Sequence, residues 1–181
     1  MHKWKPINKI YAYDGSFEGL LTIVFDSYIS KTLPYNITSD TSQTNLLYET
    51  LYIKTDEIKA KRILEGTVKN ISYHALSNAY HTFLSNNPKK ELLIVQYLLL
   101  GFSIGNKLDH LLSNEIVLEI EKTHKRVFGE LHRLMGLARF MEVSKNIFYC
   151  KIHPDNDIIE LLAHHFIKRF PTRKFNDTRS K

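Results

Sequence analysis

Cysteine is almost absent from this chain. Cys150 is the only cysteine among the 181 residues, and one thiol cannot form an internal disulfide. The lack of a cysteine pair also excludes zinc ribbons and cysteine-ligated iron–sulfur clusters. A disulfide-rich secreted fold is therefore excluded, and the composition fits a reducing compartment. We expect a cytoplasmic protein.

Long apolar runs are also missing. No segment reaches the roughly 20 apolar residues that span a bilayer. The best candidate, residues 92–105, is short and is interrupted by Gln96 and Ser103. The first residues do not contain the apolar stretch of a signal peptide. We therefore expect no membrane association.

The signatures of the most easily recognised enzymes do not occur. The sequence has no phosphate-binding P-loop, no glycine-rich dinucleotide fingerprint, no His-Glu-x-x-His helix and no nucleophile elbow. We expect neither a cofactor nor a metal ion. What remains is an ordinary globular balance of 43% hydrophobic and 24% charged residues, which is enough to build a core at this length.

Hydrophobic periodicity predicts mainly helices with a few short strands. Strands are predicted at residues 10–13 and 51–54, a polar loop at 35–50, and a hairpin pairing 139–143 with 147–152. Helices are expected to start at Ser16, at Thr55 or Asp56, at Ser72, at Pro88, at Asn114 and at Asp157. The Pro88 helix should end at Gly101 or Gly105, the Asn114 helix at Leu134 before Gly136, and the last helix at Arg169 before Pro171.

Two of these helices have informative patterns. The Pro88 helix is apolar nearly all round, so we expect it at the centre of the core. For the helix after Asp56 the pattern predicts an apolar side made of four residues: Ile58, Ile63, Leu64 and Val68.

The sum is an α+β fold, a mainly helical single domain over residues 1–171 with a small antiparallel sheet. Residues 172–181 are polar and are predicted to form a disordered tail. Strands and helices do not alternate regularly, so a doubly wound nucleotide-binding fold is disfavoured.

The charge is distributed unevenly. Residues 1–121 contain 12 Lys and Arg against 13 Asp and Glu, whereas residues 122–181 contain 13 against 6. The net charges are therefore −1 and +7. Such asymmetry favours contact with a polyanion such as nucleic acid. The alternative is a basic surface that only aids solubility.

A first candidate site follows the predicted strand at residues 10–13. Asp14 and Glu18 flank a Gly-Ser pair near a predicted helix start, where free backbone N–H groups could also bind an anion. The alternative is a strand-to-helix turn with its caps, because Asp-Gly-Ser chemistry explains a turn by itself.

A second candidate lies on the long helix. Arg126, Glu130 and Arg133 are spaced i, i+4 and i+7, so they share one helical face. Glu130 could pair with both arginines on a solvated surface. Alternatively the arginines bind phosphate, whose oxygens match the planar guanidinium, and His132 adds a hydrogen bond or a proton-transfer group.

A third candidate is the histidine-rich last helix. His165 and Arg169 are one turn apart, whereas the adjacent His164 points in another direction. With His132 these histidines could in principle bind a metal ion, but a packed or hydrogen-bonded histidine is the commoner outcome.

The three stretches together resemble a bacterial family of DNA metabolism or repair proteins, a domain of unknown function. The matching segments are residues 11–21, residues 130–140, and residues 154–155 with 161–171, in the family's order and spacing. The chain departs from the pattern after Pro171, where members continue with an aromatic, strand-like segment. His164 lies where members vary, so His165 is favoured over it.

The resemblance implies a role with DNA beside a partner enzyme. Members are commonly encoded next to a radical-SAM protein of DNA modification or repair, and in other bacteria the domain is fused to a uracil-DNA-glycosylase-like domain. No reaction is implied.

Three functions remain open from the sequence. The first is an accessory protein that binds nucleic acid, DNA rather than RNA in view of the resemblance, through the basic last third, with Arg126, Arg133, Arg139 and Arg169 as contacts. The second is a nucleic-acid- or nucleotide-processing enzyme with Asp14, Glu130, His132 and His165 as acid–base groups. The third is a scaffold for the radical-SAM partner. We favour the first.

Overall fold

The computed structural model describes residues 4–40, 47–145 and 147–169. Its strands are β1 (Lys5–Ala12), β2 (Thr32–Thr38), β3 (Glu49–Tyr52), β4 (Met141–Ser144) and β5 (Ile147–Tyr149). Its α-helices are α1 (Phe17–Ser30), α2 (Glu57–Asn70), α3 (Tyr73–Phe83), α4 (Lys90–Ile104), α5 (Glu115–Leu137) and α6 (Ile159–Arg169), with a 3₁₀ helix at Gly105–His110. The α+β, mainly helical class and the antiparallel hairpin β4–β5 are confirmed.

A parallel sheet is the feature that the sequence pattern did not predict. Strand β1 lies in the middle, and β2 and β3 both pair with it in parallel. Because β1, α1 and β2 follow one another in the chain, they form one βαβ unit. The expected lack of a regular alternation is nevertheless confirmed, because α2, α3, α4 and α5 follow one another without an intervening strand. One βαβ unit is far from a doubly wound fold.

The predicted polar loop at residues 35–50 was wrong for residues 35–38 and 49–50, which are in strands, whereas residues 39–40 and 47–48 lie outside them. Residues up to Thr38 continue β2, and Glu49 begins β3; residues 41–46 lie outside the described chain. Proline is rare inside strands, and Pro34 immediately precedes the predicted loop. It lies inside β2, an edge strand of the sheet, and an edge strand tolerates a residue without an N–H donor.

Side-chain caps fix four of the six predicted helix starts, whereas α4 begins at Lys90 without a side-chain cap and α6 begins at Ile159. The Ser16 hydroxyl accepts a hydrogen bond from the Gly19 amide at the start of α1, at 2.9 Å. Asp56, Ser72 and Asn114 cap α2, α3 and α5 in the same way. These acceptors satisfy amides that have no partner within the helix, so the local sequence determines where each of these four helices begins.

Helix α4 lies at the centre of the large core, as its uniform apolar character predicts. Ile94, Val95, Leu98 and Leu99 are fully buried. They pack with residues from β1, α1, α2 and α3 and with the first turns of α5.

The predicted apolar side of α2 was mostly wrong. Ile63 is buried, but Ile58, Leu64 and Val68 are exposed, and the buried positions beside Ile63 are small ones, Ala60 and Thr67. Helices α1 and α3 pack on this face, and small side chains allow close approach. Because the large apolar residues lie on the opposite, exposed face, the hydrophobic periodicity indicated the wrong buried side.

Helix α5 joins two cores. Val117 and Ile120 in its first half belong to the large core. Val127 and Leu131 in its second half belong to a smaller cluster with residues of α6 and the segment before it. The helix passes through Gly136 and ends at Leu137, three residues beyond the predicted end at Leu134.

The C-terminal part follows the prediction in outline, with hairpin strands shorter than the predicted 139–143 and 147–152. The hairpin has its strands at β4 and β5, and Phe140 packs edge-on against Phe166 of α6 at 4.9 Å between ring centroids. Pro171 and the predicted tail lie outside the described residues. Among the residues described, no helix is both long enough and apolar enough to cross a bilayer.

Candidate functional site

Glu130 is buried at the centre of the C-terminal part. Its side chain lies in α5 and is only 6% exposed. One carboxylate oxygen accepts a hydrogen bond from the Asp155 amide, and the other accepts one from the Asn156 side chain. The ion pairs expected with Arg126 and Arg133 do not form within the described chain, because the carboxylate faces inward to the loop before α6.

Asn156 connects three segments through its side chain. Its side-chain nitrogen donates to Glu130, and its side-chain oxygen accepts from the backbone N–H of Asn86 at 3.1 Å. A backbone bond from Asp157 to Leu84, at 2.8 Å, lies beside it. The α3–α4 connection and the loop before α6 are thereby fixed against α5. Buried, satisfied polar groups of this kind specify one arrangement of a junction.

A polar groove of about 520 Å³ lies above this junction. Helix α5 forms one wall and the two connected loops form the other. The residues that line it are Asn86, Lys125, Arg126, Gly129, Glu130, Arg133, Asp155 and Asn156. Its walls are thus held by the hydrogen bonds of Glu130 and Asn156.

The groove presents an excess of positive charge. Arg126 and Arg133 are exposed, and among the residues described neither has a carboxylate within salt-bridge distance. Lys125 pairs with Glu121 at 3.2 Å but remains 72% exposed. Asp155 is the exposed acid of the lining. Unpaired guanidinium groups on a rigid helix can bind phosphate oxygens without first breaking an internal ion pair.

The other two predicted arginine contacts lie elsewhere. Arg139 follows α5 and donates from Nη1 to the carbonyl oxygens of Gly136 and Ala138, at 2.9 and 3.2 Å. It therefore satisfies carbonyl groups at the end of the helix. Arg169 is exposed at the end of α6 and makes contacts of its own. Neither residue lines the groove.

Asp14 is organised as part of a turn. One of its oxygens accepts from the Ser16 amide and hydroxyl, at 3.0 and 2.6 Å, and the other accepts from the Thr55 hydroxyl at 2.6 Å. Burial acts to raise the pKa of Asp14, but the hydrogen bonds from Ser16 and Thr55 outweigh it and lower the pKa below its usual value. The carboxylate joins the end of β1 to the start of α2, which is the cap-and-turn interpretation.

The remaining acid–base candidates are not brought together by contacts. His132 is exposed on α5, and His165 is half-buried on α6 with its ring edge-on to Phe166. No hydrogen bond in the described chain joins any two of Asp14, Glu130, His132 and His165. In the part of the chain that the structure describes, no three His, Cys, Asp or Glu side chains are placed to hold a metal ion.

A histidine pair between α3 and α5 was missed by the sequence analysis. The Nδ1 atoms of His81 and His124 lie 2.8 Å apart, so one ring donates and the other accepts. Phe128 stacks on His124. Burial, and to a smaller degree His124, lowers the pKa of His81 to about 4; burial also lowers the pKa of His124. Both rings are therefore neutral near pH 7.

Polar neighbours extend this pair. The Asn78 side chain donates to Glu121 at 3.1 Å, and His74 lies between Asp109, at 3.5 Å, and Glu121, at 3.9 Å. A signal was present in the sequence, since His74, Asn78 and His81 are spaced i, i+4 and i+7.

A comparison with families identifies the segment that carries the groove. A model described as "Domain of unknown function (DUF4130)" matches residues 88–177. Residues 88–177 contain a DUF4130 domain. The DUF4130 domain begins just before α4 and includes every residue that lines the groove except Asn86. Searches of curated proteins and of solved structures returned no match.

Proposed function

We propose that this protein is an accessory protein of DNA metabolism or repair that binds DNA in the groove along α5. The observation that carries the proposal is that Arg126 and Arg133, unpaired among the described residues, lie along one rigid groove. Lys125 adds a third positive charge in the same place. The resemblance to DNA metabolism and repair proteins supports DNA as the ligand.

The chemistry of the groove favours the sugar-phosphate backbone. Two guanidinium groups on one helical face offer planar pairs of donors to successive phosphate oxygens. Such contacts hold a nucleic acid in register without reading its sequence. The polar side chains of Asn86 and Asp155 on the opposite wall offer a donor and acceptors to a sugar or a base edge.

A salt titration with matched variants tests the proposal. We expect binding of a fluorescein-labelled DNA oligonucleotide to weaken steeply between about 50 and 200 mM salt. Arg126→Ala and Arg133→Ala should each weaken binding and reduce the salt slope by about one. Arg62→Ala is the control, because Arg62 is also exposed but lies on α2, outside the groove lining.

The outcomes separate clearly. Equal losses in Arg62→Ala and Arg133→Ala would mean that general charge, not the groove, binds the DNA. An affinity that does not change with salt concentration would contradict the proposed phosphate contacts.

The partner enzyme is a separate part of the proposal. The family resemblance supports a radical-SAM or glycosylase-like protein that acts on the DNA held here. Co-purification of the two proteins would support this part, and no association at micromolar concentrations would count against it.

A further inference from the structure

Gly129 has no structural reason to be glycine. It lies in the interior of α5, where glycine is less favourable than alanine because it loses more backbone entropy on folding. A Cβ atom built at this position meets nothing within 4 Å. Neither a positive φ nor a close packing contact within the described chain requires the missing side chain.

Its position in the groove offers a different reason. Gly129 lies three residues after Arg126 and four before Arg133, so the three residues share one face of α5 and all line the groove. The absence of a Cβ leaves the helix backbone bare between the two guanidinium groups. A ligand can therefore approach α5 more closely here than at any ordinary helical residue.

We propose that Gly129 is the point of closest approach between α5 and a bound DNA strand, with one phosphodiester seated between Arg126 and Arg133. The inference rests on the proposed DNA-binding function. A phosphate in this seat receives charge-assisted hydrogen bonds from both sides. A mid-helix backbone has no N–H group to spare, so the arginines supply the donors and the glycine supplies only the space.

The same helix contains a matched control. Gly136 is also exposed, also lies within α5, and also has nothing within 4 Å of an added Cβ. It does not line the groove. Alanine at either position should therefore be accepted by the fold, and only alanine at Gly129 should meet the ligand.

The experiment compares Gly129→Ala and Gly136→Ala in the full chain. Chemical denaturation should show both variants at least as stable as the unsubstituted protein. Anisotropy titration with a labelled DNA oligonucleotide at about 50 mM salt should show roughly tenfold weaker binding for Gly129→Ala. Gly136→Ala should bind within about twofold of the unsubstituted protein. Gly129→Leu, a larger helix-forming residue, should weaken binding further.

Each outcome decides one of the two claims. Unchanged affinity in Gly129→Ala and Gly129→Leu, with DNA binding still lost in Arg133→Ala, would overturn the closest-approach inference and leave the DNA-binding function standing. No DNA binding by the unsubstituted protein would overturn both. A loss of affinity without the graded dependence on side-chain size would also contradict the inference.

Discussion

The two cores of this molecule differ in size and in what lies above them. The large core gathers buried residues from β1, from helices α1 to α4 and from the start of α5. The smaller one has, among the described residues, six buried members around the second half of α5 and α6. The groove with its unpaired arginines lies beside the smaller core.

Some cations near the large core have acidic partners. Near the large core Lys9 pairs with Glu49 at 3.0 Å and Lys59 pairs with Asp26 at 2.8 Å. In the groove, Arg126 and Arg133 have no acidic partner among the described residues. The two groove arginines can therefore bind a ligand without first breaking an ion pair.

Deleting a buried leucine in each core should give the largest contrast. Leu98 of α4 is fully buried in the large core, and Leu162 of α6 is 1% exposed in the smaller one. Leu98→Ala should lower the free energy of unfolding by about 4 kcal/mol, and Leu162→Ala by about 2–3 kcal/mol, because a smaller cluster can collapse around the cavity. Urea denaturation measures both.

Equal costs for Leu98→Ala and Leu162→Ala would show that the two clusters are packed equally tightly. The expected difference in how far each cluster collapses around a cavity would then be lost.

Replacing a glycine by alanine should lower the stability of the fold in the first region and not in the second. A Cβ at Gly19 of α1 would lie 2.5 Å from an Asp14 oxygen, 2.8 Å from the Thr55 hydroxyl and 2.9 Å from the Tyr13 ring. Gly19→Ala should therefore destabilise the fold by about 1–3 kcal/mol through overpacking. Gly129→Ala, beside the groove, should not destabilise it. Thermal denaturation of the two variants gives the comparison.

A stable Gly19→Ala variant would mean that the turn at Asp14 can move aside at little cost. In that case the Asp14–Thr55 hydrogen bond would not fix the start of α2, and the contrast between the two glycines would disappear.

Local chemistry made much of this fold predictable. Ser16, Asp56, Ser72 and Asn114 cap helices because their side chains satisfy amides a few residues away, which a single sequence displays. The uniform apolar character of α4 likewise indicated its central place. These features depend on residues near one another in the chain.

The errors arose where distant parts of the chain decide the outcome. The pairing of β2 with β1 depends on residues about 27 positions apart. In addition, β2 contains Pro34, and proline is rare inside strands. The buried face of α2 was set by neighbouring helices that prefer Ala60 and Thr67 over larger side chains.

The candidate site shows the same limit. The sequence placed Arg126, Glu130 and Arg133 on one face, and the structure keeps both arginines in the groove. It could not show that Glu130 would turn inward to Asn156, because that partner lies 26 residues away. Arg139 and Arg169 were expected at the same surface because they belong to the basic last third. A count of basic residues does not say where their side chains lie.

Protonation of the histidine pair should have the smallest effect on the free energy of unfolding. It tests whether the α3–α5 interface contributes to the pH dependence of the large core's stability. His81 is neutral in the fold because burial, with a smaller contribution from His124, lowers its pKa to about 4, against an ordinary value of 6.5. The unfolded chain binds a proton at His81 below pH 6.5, whereas the folded chain does not until about pH 4. The stabilising contribution is thus complete above pH 6.5 and is lost as the pH falls toward 4.

Lowering the pH from 7.5 to 5.5 should therefore reduce the free energy of unfolding by roughly 1 kcal/mol through His81. The neighbouring His74, Glu121 and Lys125 remain in every variant. His81→Phe should reduce the loss, since no ring is left to protonate at that position, and His110→Ala, at an exposed histidine, should keep it. Urea denaturation at the two pH values measures the difference. If His81→Phe lost as much stability as the unsubstituted protein, acid would be acting elsewhere, and the α3–α5 interface would have no part in the pH response of the large core.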